Sequence, residues 1–102
     1  MPLPEKRDHR IALADAVEMT RTHRARNTGE PKAHFFHREA FDALLAQQGV
    51  AGIRIYRGNG KDGAHNLVVV AVDGDGEDMT TLLMEVCIPC PPACPPNSAL
   101  QK

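Results

Sequence analysis

The chain has 102 residues, a formal net charge of −1 and 42% hydrophobic residues, with no Trp, one Tyr and three Phe. That length fits one domain with a modest, mostly aliphatic core. The near-neutral balance argues against a general nucleic-acid binder, which needs a basic surplus to displace counterions. No apolar run reaches the ~18 residues of a membrane-spanning helix. Nor does the start, Met1-Pro2-Leu3-Pro4-Glu5-Lys6, carry the apolar stretch of a signal peptide, so a cytoplasmic location with reduced thiols is expected.

Residues 1–8, polar and with two prolines, read as a flexible arm. A helix is predicted over roughly Arg10 to Arg26, with Asp8 as its N-cap. Its apolar set, Ile11, Leu13, Ala14, Val17 and Met19, makes a poor stripe. Arg21, His23, Arg24 and Arg26 complement the negative end of its dipole, and Gly29 and Pro31 end it. Arg21, Arg24, Arg26 and Lys32 could hold an anion, but a solvated helix end is the simpler reading at this net charge.

A second helix is predicted over about Phe36 to Gln48, where Phe36 (or His37), Ala40, Phe41, Leu44, Leu45 and Gln48 follow the helical period and Gly49 closes the run. Glu39 and Asp42 read as partners of its dipole. Val50–Tyr56 reads as a strand with Arg54 opposite Ile53 and Ile55. Asn59-Gly60 and Asp62-Gly63 are turn dipeptides, and Leu67–Val72 is a continuous apolar strand covered on both faces or paired in an oligomer. The two strands form a hairpin.

Asp73-Gly74-Asp75-Gly76-Glu77-Asp78 resembles the start of a calcium loop but lacks the sixth-position Gly and the twelfth-position Glu, which leaves an acidic turn. Beyond it, Met79, Leu82, Leu83 and Val86 favour a short helix by spacing, whereas Thr80-Thr81 pull towards a strand. A bare hairpin is marginal alone. Either segment 79–86 adds a third strand or two chains pair their hairpins. No phosphate loop, nucleophile elbow or internal repeat is present.

The tail, Cys87-Ile88-Pro89-Cys90-Pro91-Pro92-Ala93-Cys94-Pro95-Pro96, holds all three cysteines and five of the eight prolines. Proline excludes a helix or central strand and leaves a stiff, extended strap. Cys87, Cys90 and Cys94 offer a soft metal, zinc or iron, three thiolates. Zinc wants a fourth ligand, which His34, His37, His65 or a second chain could supply. The bland reading is a proline-rich spacer with free or packed thiols, and histidines at a helix entry stapled by a Phe. A redox pair, C-x2-C or C-x3-C, is a further reading, although thioredoxin-type sites open a helix and this segment does not. Thiolate ligation of haem or of an iron–sulfur cluster finds only unspecific motifs. The two P-x-x-P stretches could dock in a partner's aromatic groove.

Ala33-His34-Phe35-Phe36, Gly52-Ile53-Arg54-Ile55-Tyr56, Val72-Asp73 with Gly76-Glu77-Asp78, and Cys90-Pro91-Pro92-Ala93-Cys94 together resemble a family of short bacterial proteins of uncharacterised activity, across about residues 33–96. The resemblance implies that hairpin and cysteine tail belong to one unit, and it transfers no catalytic or binding residue.

The sequence thus predicts an α+β fold: two helices packed on a small antiparallel hairpin or sheet over residues 9–86, then a Cys/Pro-rich tail over 87–102. The expected function is a non-enzymatic binding or assembly module whose tail binds metal or docks on a protein partner. A thiol redox enzyme or sensor and a structural homo-oligomer are the alternatives. Self-association is expected through the hairpin or the second helix.

Overall fold

The computed structural model describes residues 2–101. The element order is α1 (Leu13–Arg26), β1 (Ala33–Phe35), α2 (Arg38–Leu45), β2 (Val50–Asn59), β3 (His65–Asp73), β4 (Asp78–Met84) and β5 (Ile88–Cys90). This is the predicted α+β class, with antiparallel sheets. Strands β2-β3-β4 form one sheet and β1-β5 a separate two-stranded ribbon. The chain divides into two compact units. Phe36–Cys87 lies in the first, and Arg7–Phe35 with the segment from Ile88 onward lies in the second. The hairpin and the Cys90–Cys94 segment, expected in one unit from the family resemblance, therefore fall in different ones. No helix among the described residues is long and apolar enough to cross a membrane.

In the first unit, β3 is the central strand. Val69, Val70, Ala71 and Val72 are all buried, as the unbroken apolar run predicts. Strand alternation puts Val69 and Ala71 on the face that receives Leu44 of α2. Phe36, Phe41, Val50, Ile53, Met79, Leu82 and Met84 close around these three buried residues. Phe36 meets Phe41 edge-on, with ring centroids 5.8 Å apart. The β2–β3 turn uses the predicted dipeptides: the Ala64 amide donates to the Asp62 carboxylate at 3.0 Å, and Gly63 sits at φ +83°. That region of backbone favours glycine.

Within segment 79–86, the chain is a strand as far as Met84, the third strand that was the alternative, and not the short helix its spacing favours. Val69 opposes Met84, Val70 opposes Leu83 and Val72 opposes Asp78. Two things outweigh the helical period. The edge of β3 has unpaired backbone groups to satisfy, and β-branched Thr80-Thr81 suit a pleated edge. The acidic turn before it closes on itself. The Asp73 carboxylate accepts from the Asp75 and Glu77 amides at 2.9 and 3.0 Å, and Gly76 takes φ +83°.

On the sheet face opposite α2, Arg54 of β2 lies across from Val70, and Asp78 of β4 across from Val72. The Asp78 carboxylate accepts from both the Arg54 guanidinium and the Tyr56 hydroxyl, and so bridges the outer strands over β3. The Tyr56 hydroxyl and the Arg54 guanidinium hold the Asp78 carboxyl below its usual range. The Asp78 carboxylate in turn pushes the Tyr56 phenol up. Both shifts have a definite sign for stability. The lowered Asp78 value contributes stability above the ordinary carboxylate pKa of about 4, and this is lost as pH falls through the lowered value. The raised Tyr56 value contributes stability below a pH of about 10 that is lost as pH rises through the raised value. We expect Asp78→Ala to speed amide exchange along β4 at neutral pH and to flatten the acid limb of the stability profile. Hydrogen exchange and denaturation at several pH values measure both, and an unchanged acid limb would remove the bridge from the account.

In the second unit, α1 begins three residues later than predicted, at Leu13, with Ala12 as an N-cap that makes no side-chain hydrogen bond. Asp8 is not the cap. Its carboxylate accepts from the Arg10 amide at 3.0 Å and from the Arg10 guanidinium, a local turn that competes with capping. The helix ends at Arg26 as expected, but at Asn27 rather than near Gly29. The Asn27 amide and side chain both donate to the His23 carbonyl. No residue of α1 is buried, in keeping with its poor stripe. Helix α2 is also shorter than predicted, running Arg38–Leu45. Asp42 pairs with Arg38 at 3.1 Å, one turn apart, rather than with the helix dipole.

Candidate functional site

The residues singled out by their chemistry are dispersed over the fold. His37 is the N-cap residue of α2, His65 opens β3, and both are exposed. Cys87 is a half-buried free thiol that follows β4. Cys90 and Cys94 are joined in a disulfide, with Cα atoms 4.8 Å apart. Among the described residues, no three His, Cys, Asp or Glu side chains gather in a way that could hold a metal ion.

The disulfide is positioned by the β1–β5 ribbon. Ala33 opposes Cys90, His34 opposes Pro89 and Phe35 opposes Ile88. A proline in this strand is tolerated because its missing donor falls where no partner strand requires it. The tail is thus not a free strap. Its first residues are an edge strand, held further by the Lys32 amide donating to the Cys90 carbonyl at 2.6 Å. After Cys90 the chain turns back. The Ala93 amide donates to the Pro89 carbonyl at 3.1 Å and the Cys94 amide to the Pro92 carbonyl at 3.0 Å. The Cys90-Pro91 and Pro91-Pro92 bonds are both cis. This turn brings the two sulfurs together across three intervening residues.

Beside the disulfide lies a cavity of about 560 Å³, lined by Ala33, His34, Phe35, Cys90, Ala93, Cys94 and Pro95. Among the described residues, and with the cysteines in their disulfide, His34 is the one titratable side chain of the lining. The cysteines differ in access: Cys90 is 3% exposed, whereas Cys94 is half-buried. By strand alternation, Ala33 and Phe35 share the ribbon face of Cys90, and His34 shares the other with Pro89. Of the three histidines considered as a fourth metal ligand, only His34 is brought to the cysteine segment. Sequence reasoning offered C-x3-C as one of two pairings. It could not find the cavity, because β1 is three residues long and pairs with a strand more than fifty residues away.

The size of the ring bears on what the disulfide does. The chain-entropy model assigns a cross-link closing about five residues only ~2 kcal/mol, against ~3 for a fifteen-residue loop and more for longer ones. Cys90 and Cys94 are near neighbours in the chain, so this cross-link lies at the low end of that scale. No family model, curated protein or solved structure matches the chain.

Proposed function

We propose that the chain is a thiol–disulfide redox module, a sensor or exchange protein, in which Cys90 and Cys94 cycle between disulfide and dithiol. The observation that carries this reading is a short-ring disulfide whose two cysteines line an open apolar cavity, Cys94 being the more exposed residue of the pair. Reactivity in exchange follows which sulfur can be approached, and here the two residues differ in exposure. In a cytoplasmic setting, the location expected from the sequence, persistent disulfides are rare and those that form are usually catalytic or sensing. The metal reading requires both sulfurs as thiolates, so it competes with the disulfide for the same atoms.

The experiment is intact-mass spectrometry with thiol alkylation, on protein purified without a metal-affinity tag. The oxidised form should take one label, on Cys87, and the reduced form three. Reoxidation with a glutathione redox buffer should restore the single-label state with a loss of about 2 Da relative to the reduced form. Protein that carries zinc, releases it to a chelator and never shows the single-label state would replace this reading with the metal site. Three labels under every condition, without metal, would leave a thiol-bearing spacer.

A further inference from the structure

We infer that the substrate of the Cys90–Cys94 pair is a peptide segment that carries two cysteines with apolar flanking residues, and that Cys94 is the sulfur it engages, with Cys90 as the buried leaving group. This rests on the redox reading above and adds to it a substrate class and an order of steps.

The order follows from access. Exchange requires a thiolate to reach one sulfur in line with the S–S bond. Both cysteines line the cavity, but Cys90 is 3% exposed and held in the ribbon opposite Ala33, which leaves Cys94 the more open of the two to an incoming sulfur. Cys94 is half-buried in the turn and lines the cavity. The substrate thiolate attacks Cys94 Sγ. A new S–S bond forms there as the Cys90–Cys94 bond breaks, and the electron pair leaves on Cys90 Sγ, which takes up the proton the substrate thiol gave up. A second thiolate of the substrate then attacks its own first sulfur in the mixed disulfide and releases Cys94, which takes up the second proton. Two electrons and two protons pass from substrate dithiol to the protein pair, and no other oxidant is needed.

The substrate class follows from the lining. The disulfide forms part of the cavity wall, so the occupant must bring sulfur to it. Ala33, Phe35, Ala93 and Pro95 supply apolar surface, and Phe35 is 50% exposed, open to cover by a ligand. Among the described residues, no Lys or Arg lines the cavity to receive the carboxylates of glutathione. An aliphatic or aromatic residue beside the substrate cysteine gains by burial there, whereas a free charge loses hydration.

The test uses the full chain with Cys87→Ser, oxidised, so that no other thiol competes. It is mixed with a monothiol peptide in which Leu and Phe flank Cys, with the same peptide flanked by Asp, or with glutathione. Each rate is divided by that thiol's rate against a small soluble disulfide, which removes intrinsic reactivity. Acid-quenched adducts are mapped by peptide mass spectrometry. Half-burial of one aliphatic side chain corresponds to roughly a tenfold preference, so the Leu/Phe peptide should react about tenfold faster than glutathione or the Asp peptide. The adduct should lie on Cys94. Phe35→Ser should narrow the preference about threefold by removing part of that burial. An adduct on Cys90, or equal normalised rates for the three thiols, overturns this inference while leaving the redox reading in place. A disulfide that exchanges with none of them overturns both.

Discussion

Leu44→Ala should destabilise the first unit by about 3 kcal/mol, the middle of the range for truncating a fully buried leucine. Leu44 is 0% exposed and is the buried residue of α2, clustered with Val69 and Ala71 of the central strand beside Phe41. Removing its isobutyl group takes away the transfer energy of those carbons and leaves a void that the sheet cannot fill. Val69 is paired with Ile55 on one side and Met84 on the other, and Ala71 is paired with Ile53. The neighbouring Leu45 is 53% exposed, so Leu45→Ala should stay within about 0.5 kcal/mol. Urea titrations followed by far-UV circular dichroism compare the two. Equal losses would mean that α2 does not pack through Leu44.

Opening the disulfide should have the next largest effect. Cys94→Ser, or reduction of the native chain, removes the ring constraint of ~2 kcal/mol from the second unit. The amides of Lys32 and Ala93 donate to the Cys90 and Pro89 carbonyls on the two sides of the bond, and so report on that segment. Their exchange should quicken by up to about thirtyfold on reduction, the free-energy equivalent of the lost constraint. Reoxidation should restore protection in the native chain and cannot do so in Cys94→Ser. Exchange rates indifferent to redox state would show that the backbone hydrogen bonds hold the turn alone and that the disulfide carries no structural signal. On the proposed redox reading, this coupling would give a sensor its readout, because opening the bond would release the segment from Pro89 to Cys94.

Local chemistry explains which parts of this fold could be read in the sequence. The hairpin was legible because Asn59-Gly60 and Asp62-Gly63 need a specific backbone and because Leu67–Val72 has no polar face. Helix α2 was legible from Phe41 and Leu44 at helical spacing, though its ends were overdrawn on both sides. Segment 79–86 satisfied two periods at once, and the choice fell to the open edge of β3, a non-local partner that no window of sequence contains. Asp8 could have capped a helix, but Arg10 two residues away offered its carboxylate a closer partner. The site was half legible. The cysteine spacing singled out the three cysteines, with a metal site ahead of an exchangeable pair, and the two readings share that spacing. The cavity depends on Ala33 and Phe35, which carry no signal of their own.

The redox equilibrium of the native chain tests the central claim most directly. Protein equilibrated across a series of glutathione redox buffers, quenched and counted for free thiols gives the midpoint of the Cys90–Cys94 couple. The account predicts a reversible two-electron transition above about −300 mV, within reach of the glutathione pool, with the chain folded throughout. A pair that stays oxidised below that potential until the chain unfolds would be a structural cross-link and would contradict it.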